Sequence, residues 1–150
     1  MQQSEQNGKL MTPTIMPPND GTIGVQYGLY AMEADNASFG FFAGFNSFVV
    51  AAASNDYLYT SRDVGTEVID VGQGLHLMVQ RGDANLKLID FSNDPYGVID
   101  FKGIYRNFND AIHNLISDHN GGMEFVSHGT VILDLMNTTH VNPWQISVSH

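Results

Sequence analysis

The side chains in this sequence that are equipped for chemistry are carboxylates and imidazoles. There are 16 acidic residues and six histidines but no cysteine, which excludes disulfides, thiolate metal sites and thiol nucleophiles. A zinc pair on a helix needs two histidines at i, i+3 or i, i+4 on one face. His113 and His119 are i, i+6, so their rings point apart, and His76, His128, His140 and His150 are scattered along the chain. Asp110 with His113, and Asn114 with Asp118, share a helical face, where surface hydrogen bonding accounts for them. Asp90, Asp94 and Asp100 crowd one stretch, yet Asp90-Phe91-Ser92-Asn93-Asp94-Pro95 lacks the spacing of a calcium loop. Asp94, followed by Pro95 and Gly97, reads as a turn residue. There is no nucleophile elbow, phosphate-binding loop or dinucleotide fingerprint. No catalytic residue, metal ligand or cofactor site is expected, and the chain reads as a non-enzyme.

Arg81-Gly82-Asp83 matches a cell-adhesion tripeptide and falls where a loop tip is expected, but Arg-Gly-Asp-Ala is also good turn chemistry. The formal net charge of −10, with six basic residues set singly, argues against nucleic acid, because neutralising phosphates takes clustered Lys and Arg. Only 15% of residues are charged. A surface rich in Asn, Gly, Ser and Thr and poor in Lys and Glu resembles a contact surface more than an ordinary monomer surface. Residues 1–5 carry neither a basic nor an apolar signal region, so cytoplasmic synthesis without classical export is expected.

The elements that must position these groups are mostly strands. Residues 107–119 hold the one helical pattern: Phe108, Ile112, Leu115, Ile116 and His119 line one face, Asn107 is the N-cap, and Asn120-Gly121-Gly122 is the stop. Residues 23–32 alternate as a first strand. The uncharged, Phe-rich stretch 37–53 reads as a core hairpin turning at Gly44-Phe45-Asn46-Ser47 rather than a membrane span, being short and broken by polar residues. Residues 74–80 and 85–91 read as partners in a second hairpin. Three strands come after the helix, the last placing Trp144, Ile146 and Val148 inward. Val-Ile-Asp at 68–70 and 98–100, with Leu-Ile-Asp at 88–90, reads as reused strand vocabulary, its spacing too irregular for a repeat architecture.

These elements predict an α+β, mostly β fold: an antiparallel sandwich or barrel with one helix packed on it. Residues 1–21, with Pro13, Pro17 and Pro18, read as an extended arm preceding a single β-rich domain, 22–150. Leu10, Met11, Ile15 and Met16 are the candidate partner-binding anchors of that arm. The function expected is a structural assembly subunit, of the kind found as a capsid decoration or tail component of virus or phage particles. Its partners would be copies of itself and other subunits, with no nucleic acid and no membrane. The alternatives are a small acidic inhibitor or immunity-type protein that binds a basic partner, and a barrel holding a small ligand.

Overall fold

The computed structural model describes residues 4–6, 9–11, 14–15, 21–23, 28–42 and 47–150, with side chains described for 28–40 and 47–150. In chain order the strands are β1 (Ser4–Gln6), β2 (Lys9–Met11), β3 (Thr14–Ile15), β4 (Gly21–Ile23), β5 (Leu29–Met32), β6 (Ser38–Phe42), β7 (Phe48–Ala51) and β8 (Tyr57–Ser61). Then come β9 (Glu67–Asp70), β10 (His76–Gln80), β11 (Leu86–Ile89) and β12 (Val98–Lys102). Helix α1 (Phe108–His113), β13 (Leu115–Ser117), β14 (Met123–Ser127), β15 (Thr130–Met136) and β16 (Ile146–Ser149) complete the chain.

Consecutive strands from β3 to β12 alternate between two sheets. One has the order β16-β12-β10-β8-β6-β4, the other β13-β14-β15-β11-β9-β7-β5-β3. Within the coils every pairing is parallel. The chain therefore winds as a β-solenoid of about three turns, and the antiparallel sandwich or barrel expected from the sequence is wrong. The reason is physical. Parallel sheets usually have both faces covered and read as continuous apolar runs. Here each sheet covers the other on one face only, so its strands alternate as antiparallel strands do. Leu58, Leu77 and Ile99 point inward from one sheet and Val49, Val68 and Leu88 from the other, all almost wholly buried in one core.

The repeat that the sequence pattern concealed is a coil of 19 residues. Tyr57 donates its N–H to Ala37, and the carbonyl of Asp56 accepts from His76. Asn36, Asn55 and Gly74, each 19 residues after the last, occupy the left-handed region at the same corner, with φ of 57°, 58° and 77°. Asn and Gly are the residues that enter it at least cost. The next corner is longer, because a 3-10 turn, Phe91–Asn93, drops the Phe91 ring into the core. The step has already slipped to 20 at the opposite corner, where Val64 lies beside Ala84, and this insertion stretches the next pairing to 22, His76 with Val98. Val68 pairs with Leu88 and Ile69 with Ile89, so two of the three related tripeptides are stacked neighbours, while 98–100 lies in the other sheet.

Both expected hairpins dissolve for the same reason. β6 and β7 belong to different sheets, as do β10 and β11; residues 43–46, the expected first turn, lie outside the described residues. The expected first strand is divided, with β4 in one sheet and β5 in the other. The helix is half the expected length. Asn107 caps it, accepting from the Asp110 N–H at 2.9 Å, but it ends at His113. Leu115–Ser117 instead pairs antiparallel with β14, because strand pairing there satisfies the backbone better than another turn of helix. Trp144 is not inward either; it sits in the turn Pro143–Gln145 and is 68% exposed. At the β14 end, Phe101, Tyr105 and Phe125 form an aromatic cluster, with the Phe101 and Phe125 centroids 4.6 Å apart.

Close stacking leaves glycines where coils touch. A Cβ on Gly72 would strike the Ala53 carbonyl of the preceding coil, whereas one on Gly121, in the β13–β14 turn, meets nothing. Gly72→Ala is expected to destabilise the protein by about 2–3 kcal/mol in urea unfolding, as overpacking does. Gly121→Ala, with only its positive φ against it, should cost about 1 kcal/mol.

Candidate functional site

The solenoid has two edges where the chain passes between sheets. At the first (33–37, 52–56, 71–75, 90–97 and 137–145), carboxylates hold the coils together. Asp56 Oδ1 accepts from the Ala37 N–H at 2.9 Å and Asp35 Oδ1 from Ser54 N–H at 2.8 Å. Asp94 accepts from Gly74 and Leu75 N–H at 2.7 and 3.0 Å, reaching back one coil, and from its neighbour Tyr96 at 3.2 Å. The Gln145 side chain then donates to the Asp94 carbonyl. Asp70 lies beside this group with both oxygens buried and no donor. Burial, followed by the closeness of the Asp94 and Asp90 carboxylates, pushes Asp70 up to about 9. It is a neutral acid at physiological pH.

The second edge (62–66, 81–85 and the segment after β12) works the same way. Asp83 is 2% exposed and accepts from Thr60 Oγ1 at 2.6 Å, Gln80 N–H at 2.7 Å and Asp63 N–H at 2.8 Å. Asp63 accepts from Thr66 Oγ1, and burial raises it to about 6. Arg62 lies across Gly82, where a Cβ would come within 2.9 Å of its side chain, and Arg81 Nε donates to the Gly103 carbonyl at 3.0 Å. Arg81-Gly82-Asp83 is thus explained by the stack: the glycine makes room for Arg62 and the aspartate ties two coils. Adhesive recognition would need that aspartate exposed.

These contacts sort the charges. The first edge carries Glu33, Asp35, Asp56, Asp90 and Asp94, and its five segments contain no Lys or Arg. Arg62, Arg81, Lys102 and Arg106, four of the six basic residues, fall on the second edge, whose Asp63 and Asp83 are internal. Two adjoining grooves of about 410 and 400 Å³ open there, sharing Ile104, Ser127 and His128, the first bordered by Arg81 and the second by Arg106 and Asp110. On the first edge, successive coils present Val71, Tyr96 and Trp144, 59%, 74% and 68% exposed. Trp and Tyr are the side chains that most often anchor interfaces.

Two further groupings lie on the sheets. Asp134, on β15, is pushed up to about 7 by burial and by Asp118, while Asp118 is held low by Asp134 and by nearby N–H groups. The two carboxyls perturb each other, but neither described groove is lined by them. On the outer face of the other sheet, Tyr57 stacks on His76 at 4.4 Å. Burial lowers His76, and the Asp100 charge opposes that.

The sequence-selected residues are dispersed. Leu10 and Met11 are in β2, opposite Glu5 and Ser4 of β1. Ile15 is in β3, in register with Ala31 of β5, and Met16 lies outside the described residues. Asp94 and Asp100 are separated, the first a coil-to-coil cap and the second bonded by Ser149 Oγ at 3.2 Å. His113 Nδ1 bonds the Asn109 carbonyl at 2.7 Å. Among the described residues no three His, Asp or Glu side chains are arranged to hold a metal, and no helix is long and apolar enough to cross a membrane. The two-edge pattern was missed because it appears only when the chain is wound into coils, which brings the Arg81-Gly82 corner onto Arg62. No family model, curated protein or solved structure matches this chain.

The raised carboxyls set the sign of the pH response. A group whose pKa rises on folding binds more protons in the native state, so its stabilisation is complete below the ordinary 3.8 and is lost as pH climbs to the folded value. The melting temperature should therefore fall from about pH 4 to pH 9, Asp63 having lost its share by about pH 6 and Asp70 only by about pH 9. His76 acts in the opposite sense below its ordinary 6.5. Asp70→Asn should flatten the alkaline limb in thermal melts tracked by circular dichroism; a slope left unchanged would show that Asp70 does not carry it.

Proposed function

We propose that this protein is a non-enzymatic structural subunit that works through subunit–subunit contacts, in the class of capsid-decorating or tail components of virus and phage particles. The observation that carries this reading is the row of exposed Val71, Tyr96 and Trp144 along one solenoid edge. Aromatic anchors on two successive coils, with Val71 exposed on the coil before them, make a docking strip. Buried Asp56, Asp83 and Asp94 are engaged in holding backbone N–H groups, a stabilising role. Leu10, Met11, Ile15 and Met16, near the N-terminus, are proposed as a second contact.

A second reading uses the same strip. Asp90 shares the Tyr96 corner, and Glu33 and Asp35 lie farther along the same edge, an acidic side that suits a basic protein, as an acidic inhibitor would require. The barrel with an internal ligand is not retained, because the space between the sheets is filled by buried side chains.

Light scattering on a size-exclusion column, across protein concentration, tests the assembly reading. Wild type is expected to form discrete or open-ended oligomers, and Tyr96→Ala/Trp144→Ala to remain monomeric. Melting should stay within about 0.5 kcal/mol of wild type, since both side chains are exposed. A wild type monomeric at every concentration, or a variant that assembles equally well, would overturn it.

A further inference from the structure

The second edge has a cationic surface on a protein of net charge −10. Arg62 and Arg81 stand in stacked corners of successive coils, Gly82 lying against Arg62, and Lys102 stands at the end of the next strand of the same sheet. All three are exposed and have no ion-pair partner among the described residues; Arg106 meets Asp110 only at 3.6 Å. The acids that would neutralise the row are turned inward, Asp63 and Asp83 each 2% exposed. Across the solenoid, the first edge offers the complement: Glu33 and Asp35 exposed on one coil, Asp90 half-buried in the same corner as Tyr96, no Lys or Arg in its segments, and the exposed Tyr96 and Trp144 rings that a guanidinium stacks on.

We propose that the cationic edge docks the acidic, aromatic edge of a second copy of this chain. This rests on the assembly reading and names its contact. Both rows are built by the same coils, so they share one axial spacing, close to the 4.7–4.9 Å between strands. Two copies side by side with parallel axes bring arginines against rings and carboxylates on successive coils. Because the surfaces in contact differ, the contact is heterologous, and each copy keeps one edge of each kind available for the next. The product is an open row, and a closed dimer is not expected. Nucleic acid does not fit the row, since the remaining surface of the protein repels phosphate.

The test uses full-length protein at low and high salt. The cationic-edge variant is Arg62→Glu/Lys102→Glu, with Arg62→Gln/Lys102→Gln as a milder form, and the aromatic-edge variant is Tyr96→Ala/Trp144→Ala. Each is checked for a wild-type melt and run alone and mixed in light scattering. Wild type should assemble at low salt and dissociate as salt rises. Each variant alone should be monomeric, with the Gln form weakened at least tenfold. An equimolar mixture of the cationic-edge and aromatic-edge variants should stop at a heterodimer, because one intact edge of each kind remains. A monomeric wild type overturns this inference and the assembly reading together. A cationic-edge variant that still assembles, or a mixture that stays monomeric, overturns only the self-docking, leaving the aromatic strip to meet a different subunit.

Discussion

The constraint on which this protein depends is that every coil must complete the hydrogen bonding of the coil beside it. A parallel strand pair cannot close through a tight turn, so the chain travels through a corner between strands, and corners leave backbone N–H groups that no strand can reach. Here aspartate side chains one coil away fill that need. Asp56 serves Ala37, Asp94 serves Gly74 and Leu75, and Asp83 serves Asp63. Such bonds run between a charged acceptor and backbone donors, which makes them stronger than neutral ones.

The same device shapes the surface. A carboxylate used inside a corner is unavailable outside it, so the second edge, which holds Asp63 and Asp83 internally, shows Arg62 and Arg81 without an ion-pair partner among the described residues. The first edge has no arginine or lysine and keeps Glu33 and Asp35 outside. Net charge alone would describe an evenly acidic object. The stacked corners convert it into one with two sides of unlike character, and that asymmetry is what gives an otherwise plain solenoid a direction for association.

Some buried acids are more than the backbone requires. Asp70 has no donor and sits against Asp94, a costly arrangement for two charges and a tolerable one when a proton is shared. Asp134 and Asp118 bring two carboxyls together again on the outer face of the same sheet. The chain thus stores protons in its folded state, and its stability leans toward mild acid.

Local residue types were enough to specify the strand content, the N-cap at Asn107, the turn at Asp94 and the lack of cysteine chemistry. Composition also showed how few charges the surface carries. Neither could decide between antiparallel and parallel pairing, since a sheet with one covered face alternates identically in both. The repeat stayed hidden too, because Asn36, Asn55 and Gly74 serve one role with different residues, and the insertion around Phe91 puts β12 and all later strands out of phase with the 19-residue coil. The end of α1 at His113 came from the pairing of β13 with β14, and the outward turn of Trp144 from the docking of β16 on β12, a partner distant in sequence. Which charges face out, and so which edge is acidic and which basic, was fixed by the winding alone, because it is the neighbouring coil that draws Asp63 and Asp83 inward.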